Sequence, residues 1–228
     1  MNIRDAIEDL EAIKMIPDFE LKTVRLFNCD CMDFMSKIPD NFYELAIVDP
    51  PYGIESFKNL KENNNRIQKI FRKSENYNNA TPSIEYFEEL FRISRKQIIW
   101  GANNFNLPPT EYFLIWNKEQ TVDNFASAEY AWTNCKMPAK VFTYSIHKHN
   151  HTNKIHPTQK PIALYEWILS KYAKSGDKIF DSHGGSFPSA YACMNFDFDF
   201  DGCEIDREYF DNAVERLKNN VQEYFEFA

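Results

Sequence analysis

Short apolar runs alternate with amphipathic stretches along most of this chain. Val24–Cys29 reads as a strand, and Glu44-Leu-Ala-Ile-Val-Asp49 as a buried strand stopped by Pro50-Pro51. Ser83 caps a predicted helix reaching about Arg95, with Phe87, Leu90, Phe91 and Ser94 on one face. Gln97–Trp100, Tyr112–Trp116 and Lys140–Tyr144 follow as strand candidates, and Ala126–Thr133 as a strand or an ordered loop. Pro161 opens a helix over Ile162–Lys174, where its missing N–H costs nothing. Strand Lys178–Asp181, helix Ser189–Asn195, strand Phe198–Ile205 and helix Tyr209–Tyr224 complete the alternation. Residues 3–14 read as a short amphipathic helix, Met32–Lys37 as a helical turn, and the polar, asparagine-rich stretch 53–80 as a long mobile loop. Alternating strands and helices imply an α/β fold: a mostly parallel sheet with helices on both faces, in one domain over 1–228.

Composition narrows the class. At 228 residues, the chain can bury a core without disulfides. No apolar run is long enough for a membrane span, and the acidic N-terminus lacks a signal-peptide pattern, so a cytoplasmic protein with no membrane partner is expected. Five cysteines without a Cys-x-x-Cys pair argue against a zinc ribbon or a disulfide framework. Only six glycines occur, so each is expected where backbone geometry or close ligand approach demands it.

The net charge of −8 argues at first against a polyanionic partner, but the charge is segregated. Tyr130 to Tyr165 holds Lys136, Lys140, Lys148, Lys154 and Lys160 with no acid, and Glu55 to Glu75 carries six cations against three glutamates. Two basic segments on an acidic chain suit an anionic ligand on one face, or are two solvated loops.

Three constellations carry chemistry. Asp49-Pro50-Pro51-Tyr52-Gly53 ends a buried strand, where open parallel sheets bind ligands. A carboxylate, a carbonyl fixed by prolines and an aromatic face can together hold a planar, amino-bearing ring. Asp181-Ser-His-Gly184-Gly185-Ser186 joins a strand to a helix, and Glu204-Ile-Asp206 follows at the spacing of a ribose-binding acid. Gly-Lys-Ser/Thr is absent, so this is no phosphate loop. His156-Pro157-Thr158-Gln159-Lys160-Pro161 is a basic, proline-bounded helix entry.

Together these strings resemble the β-group of amino-methylating DNA methyltransferases, in which Asp-Pro-Pro-Tyr precedes the cofactor glycine loop and His-Pro-Thr-Gln-Lys-Pro lies just upstream of that loop. The resemblance runs from about Val24 to Leu217. Asn28-Cys-Asp30-Cys31 is similar to the family's opening, while Ile98-Ile-Trp-Gly101-Ala-Asn-Asn-Phe105 and Ala128-Glu129-Tyr-Ala-Trp132 are similar to a phage- and prophage-borne branch. It implies a Rossmann-like S-adenosylmethionine-dependent methyltransferase fold with permuted motif order. It also implies a small basic target-recognition insertion at about 117–155.

By that resemblance Asp49, Pro50, Pro51 and Tyr52 would hold a flipped base. Asp30 and Cys31 would lie at the cofactor's adenine, and Glu204 and Asp206 at its ribose. Asp181, Gly184, Gly185 and Ser186 would surround its methionine moiety, with His156, Thr158 and Lys160 closing that side. Lys69, Lys73, Lys148 and Lys154 would meet duplex DNA. Asp-Pro-Pro-Tyr leans to adenine N6 over cytosine N4. The family setting admits a homodimer and a cognate restriction endonuclease, and no metal is called for. Carbon-5 chemistry is excluded, because no cysteine here follows a proline to supply its nucleophile.

One departure stands out. The family loop reads Asp-Pro-Phe-x-Gly-Ser-Gly-Thr-Thr, and here Phe187-Pro188 replaces the last glycine and its neighbour, where a side chain could crowd the cofactor. The alternatives are an RNA or protein amine methyltransferase, of which a protein enzyme would not need the basic insertion, and a catalytically silent DNA-binding relic. His147-x-His149-x-His151 would share a face only on a strand. Phe196-Asp-Phe-Asp-Phe-Asp201 reads as a strand with one apolar face.

Overall fold

A computed structural model describes residues 15–53, 81–123, 125–150 and 158–226. The helix expected at 3–14 and the loop beyond Gly53 lie outside the described residues, as do Lys69, Lys73, His151, Lys154 and His156. Among the described residues nine strands form one sheet: β1 (Phe19–Leu21), β2 (Val24–Phe27), β3 (Leu45–Val48), β4 (Gln97–Trp100), β5 (Phe113–Asn117), β6 (Ala128–Thr133), β7 (Lys140–Thr143), β8 (Lys178–Asp181) and β9 (Asp199–Cys203). Their spatial order is β1-β2-β9-β8-β3-β4-β6-β5-β7. The central run β2-β9-β8-β3-β4 is parallel throughout, and β6 runs antiparallel between β4 and β5.

The helices are α1 (Cys31–Met35), α2 (Ile84–Ile93), α3 (Ile146–Asn150), α4 (Ile162–Tyr172), α5 (Pro188–Phe196) and α6 (Arg207–Glu226). Side chains alternate across each strand and feed two cores. Leu45, Ile47, Ile98 and Trp100 face α4, α5 and α6 through Ile168, Tyr191 and Phe210. Ala46, Val48, Ile99 and Phe180 face α1 and α2 through Phe34, Phe87 and Leu90. Both faces are covered, which is why β3 and β4 read as unbroken apolar runs rather than alternating ones.

This topology positions the site. From β8 the chain goes to β9 on one side, and from β3 to β4 on the other. The carboxyl ends of β8 and β3 therefore meet at the topological switch point, the place where open parallel sheets bind their ligands. They carry Asp181 and Asp49. Of the described helices, none is long and apolar enough to cross a membrane.

Several expectations are corrected. The Phe-Asp repeat is not one strand: Phe196 ends α5, Asp197 takes a left-handed turn, and only Asp199 onward is β9. Asp201 is buried, gripped by Arg25 at 2.7 and 2.6 Å and by the Tyr43 hydroxyl at 2.7 Å. His147 and His149 lie on α3, not a strand, and His149 is buried with Nε2 on the Gln159 carbonyl. Among the described residues no cluster of metal ligands forms.

Candidate active site

At the end of β3, Pro50 and Pro51 hold the backbone extended and Tyr52 folds back, so that its hydroxyl donates to Asp49 Oδ1. Gly101, at φ +67° after β4, makes room for that ring, because a Cβ there would overlap it. Phe105 meets Tyr52 edge-on at 6.1 Å, and Phe87 packs on Phe105 at 5.3 Å.

Lys160 reaches the same carboxylate. Its Nζ lies 2.5 Å from Asp49 Oδ2, 3.1 Å from the Tyr52 hydroxyl and 3.1 Å from Glu129 Oε2. The ammonium sits 5.7 Å above both the Tyr52 and Trp100 rings, and its side chain is only 3% exposed. Glu129 Oε1 takes Lys118 at 2.5 Å. Burial alone would neutralise these groups, but the pairing outweighs it. Lys160 is raised well above the ordinary lysine value by Asp49 and Glu129 despite its desolvation. Glu129, also working against burial, is carried down to about 2 by Lys160 and Lys118. Glu129 and Lys160 are therefore both charged at neutral pH. The resemblance placed Lys160 on the cofactor side, whereas here its ammonium lies against Asp49.

Across the switch point the glycine loop leaves β8. Asp181 is buried, accepting from the Ser189 hydroxyl at 2.6 Å and the His183 N–H at 3.1 Å. Desolvation dominates, and its carboxyl is pushed up to about 7. The Gly185 N–H donates to Glu204 Oε2 and the Asp206 N–H to Oε1, both at 2.8 Å, while burial raises that carboxyl too. Glu204 at the end of β9 is thereby tied to the loop from β8. Ser186 Oγ is buried with no hydrogen-bond partner among the described residues. Asp30 caps α1 by accepting from the Met32 N–H at 2.7 Å, on the neighbouring strand end. Beside it Cys31 is half-buried, its thiol pushed up to about 12 by burial.

Phe187 does not crowd the crevice. Its backbone is left-handed, φ +51° and ψ +47°, the conformation a glycine would supply, and its ring is fully buried beneath the loop. It covers Gly184 and Gly202, where a Cβ on Gly202 would stand 2.6 Å from Phe187 Cε1. Phe200 and Phe210 meet it edge-on at 6.4 Å. The loop keeps its turn, and the side chain that replaces glycine fills the core.

Sequence reasoning missed a second layer. The Tyr86 hydroxyl on α2 meets Ser182 Oγ at 2.6 Å, and Ser182 meets His183 Nδ1 at 2.8 Å. Burial lowers His183 to about 4, so it is neutral. Ser182-His183 replacing the family's Pro-Phe was the available signal. Lys118 gave none. Thr158 and Lys148 are exposed, the latter on α3. A cavity of about 230 Å³ among Glu20, Arg25, Tyr43 and Lys178 opens at the amino ends of the strands, away from all of this.

The sequence model of the N6/N4 methyltransferases, a DNA methylase family, matches residues 70–215. The type II methyltransferase M.BglII of Bacillus subtilis is 25% identical over 253 residues, covering 87% of this chain and 70% of the relative. M2.MboI of Moraxella bovis is 22% identical, covering 90% and 92%. Among solved structures, the complex of M1.HpyAVI with S-adenosylmethionine superposes with a TM-score of 0.54 at 18% identity, over 85% of this chain and 99% of that one. The cytosine-N4-specific PvuII methyltransferase gives 0.59 at 11% identity, over 88% of each. These likenesses agree with the mostly parallel, helix-covered sheet described above. With more than half its length matched, this chain belongs to the N6/N4 DNA methylase family.

Proposed function

We propose that this chain transfers a methyl group from S-adenosylmethionine to the exocyclic amine of a base flipped out of duplex DNA, with adenine N6 preferred. The observation that carries the reading is the meeting of two strand ends at the switch point. One offers Asp49, the Pro50 carbonyl and Tyr52; the other offers a glycine loop tied to Glu204.

The residues fit the cofactor. Ser186 Oγ is a buried polar atom without a hydrogen-bond partner among the described residues, and Asp181 and Glu204 are buried carboxyls beside the same loop, a donor set suited to a cationic, hydroxyl-bearing ligand. Asp181, Gly184, Gly185 and Ser186 would hold its methionine part, Glu204 and Asp206 its ribose, and Asp30 and Cys31 its adenine. Bound there, S-adenosylmethionine supplies a methyl group on a sulfonium leaving group.

This chain's own residues do the rest. The exocyclic amine donates to Asp49 and to the Pro50 carbonyl, which turns its lone pair out of the ring plane toward the methyl carbon. As the N–C bond formed, the S–C bond would break with its electron pair kept by the departing thioether sulfur of S-adenosylhomocysteine, and the methylated nitrogen would give up one proton to solvent. Alignment of the two partners supplies much of the acceleration, and no covalent enzyme intermediate is needed. Tyr52 offers its ring to stack on the base. Segment 117–155, with Lys148 exposed on α3, is assigned to the DNA-facing side, together with Lys69, Lys73 and Lys154.

Asp49 supports adenine, since serine at that position leans to cytosine in this family. The cytosine-N4 specificity named for the PvuII relative of the fold is the second reading. Nucleoside mass spectrometry of DNA from cells expressing the chain separates them. N6-methyladenine is expected, N4-methylcytosine selects the second reading, and no modified base refutes both.

A further inference from the structure

Both oxygens of Asp49 are occupied by the protein itself. Tyr52 donates to Oδ1, and the Lys160 ammonium lies 2.5 Å from Oδ2. An amine that needs this carboxylate as acceptor must displace a donor already there. Lys160 is the donor with somewhere else to go. Glu129 Oε2 stands 3.1 Å from its Nζ, close enough for ion pairing, yet that oxygen is buried and accepts no aligned hydrogen bond. Lys118, one residue past the neighbouring strand in which Trp116 pairs with Glu129, holds the other Glu129 oxygen at 2.5 Å and so restrains Glu129 from drifting toward Asp49. A short swing of the ammonium thus exchanges one buried carboxylate for another without leaving the charge unpaired, which is the costly alternative.

We propose that Glu129 is a positioning residue for methyl transfer: its open Oε2 takes the Lys160 ammonium as the target amine arrives, leaving Asp49 Oδ2 free to accept that amine. The Lys118–Glu129–Lys160–Asp49 chain is then a donor exchange, in which Lys160 stands in for the amine until the base enters. The inference rests on the amine-methylating reading above.

Its test is a double-mutant cycle. Single-turnover methyl transfer to duplex DNA is measured at saturating S-adenosylmethionine for wild type, Asp49→Ala, Glu129→Gln, Lys160→Met and Glu129→Gln/Lys160→Met. Cofactor affinity and thermal midpoint are recorded for each. In Glu129→Gln, Lys160 has only Asp49 as a counterion and stays on it, so the rate should fall by about tenfold or more with cofactor affinity unchanged. Removing Lys160 as well lifts the blockade, and the double variant should recover to the rate of Lys160→Met. Glu129→Asp, which keeps the charge, should restore most of the wild-type rate and guards against a fold defect in the glutamine variant. A double variant as slow as Glu129→Gln, or a glutamine variant as fast as wild type, overturns the exchange. Wild type that transfers no methyl, like Asp49→Ala, overturns the methyltransferase reading itself, and the exchange with it.

Discussion

Replacing Gly101 by alanine should disable transfer without touching the cofactor side. The backbone there is left-handed, φ +67°, which costs an alanine about 1 kcal/mol. The larger effect is steric. Even the third-nearest ring atom, Tyr52 Cδ1, would stand 2.5 Å from the new Cβ, against about 3.5–4.0 Å for carbon atoms at ease. The ring must therefore retreat by at least about 1 Å, taking its hydroxyl away from Asp49 and its face away from the base. Misplacement on that scale costs about a hundredfold in rate. Single-turnover transfer to DNA, with cofactor affinity measured in parallel, gives the answer: the rate should drop by about two orders of magnitude at nearly constant affinity. A Gly101→Ala enzyme turning over at the wild-type rate would show that Tyr52 does not need this position.

Three further outcomes are expected. Phe187→Gly should relieve about 1–2 kcal/mol of backbone strain but lose about 3–5 kcal/mol of burial, so urea denaturation should show a net loss; a more stable variant would contradict the packing account. Asp181, raised from 3.8 to about 7, keeps its proton longer folded than unfolded, so its share of stability is full below pH 3.8 and lost as pH rises toward 7. Asp181→Asn should flatten that limb in denaturation midpoints, and an unchanged slope would show the carboxyl is not the source. Alanine at Lys69, Lys73, Lys148 and Lys154 should weaken duplex binding and flatten the log-affinity against log-salt slope by about 0.9 per lost phosphate contact; unchanged affinity and slope would make these solvated lysines.

Much of the frame was legible because it is local. The runs Leu45–Val48 and Lys178–Asp181 end in Pro-Pro and in a glycine pair, so both strand ends and their ligand-facing loops are marked in the sequence. The alternation of strands and helices then fixes the parallel centre of the sheet. What escaped depends on register between distant segments. Glu129 reaches Lys160 only because β6 runs antiparallel beside β4, and Lys118 reaches Glu129 only through the β5–β6 pairing. No spacing announces either contact. The direction of Phe187 was equally hidden: a positive φ turns its ring under the loop, and composition says nothing of the sign of φ. The Phe-Asp repeat has the period of a strand, yet the helix end claims Phe196 and Arg25 draws Asp201 inward.

The proposed assignment has Asp49 receive the amine while the glycine loop and Glu204 hold the methyl donor. Purified wild type and Asp49→Ala should be incubated with methyl-labelled S-adenosylmethionine and duplex DNA, with cofactor affinity measured by calorimetry. Label should enter DNA with wild type alone, and both proteins should bind the cofactor alike. Label transferred by Asp49→Ala at the wild-type rate, or cofactor affinity lost along with transfer, would contradict it.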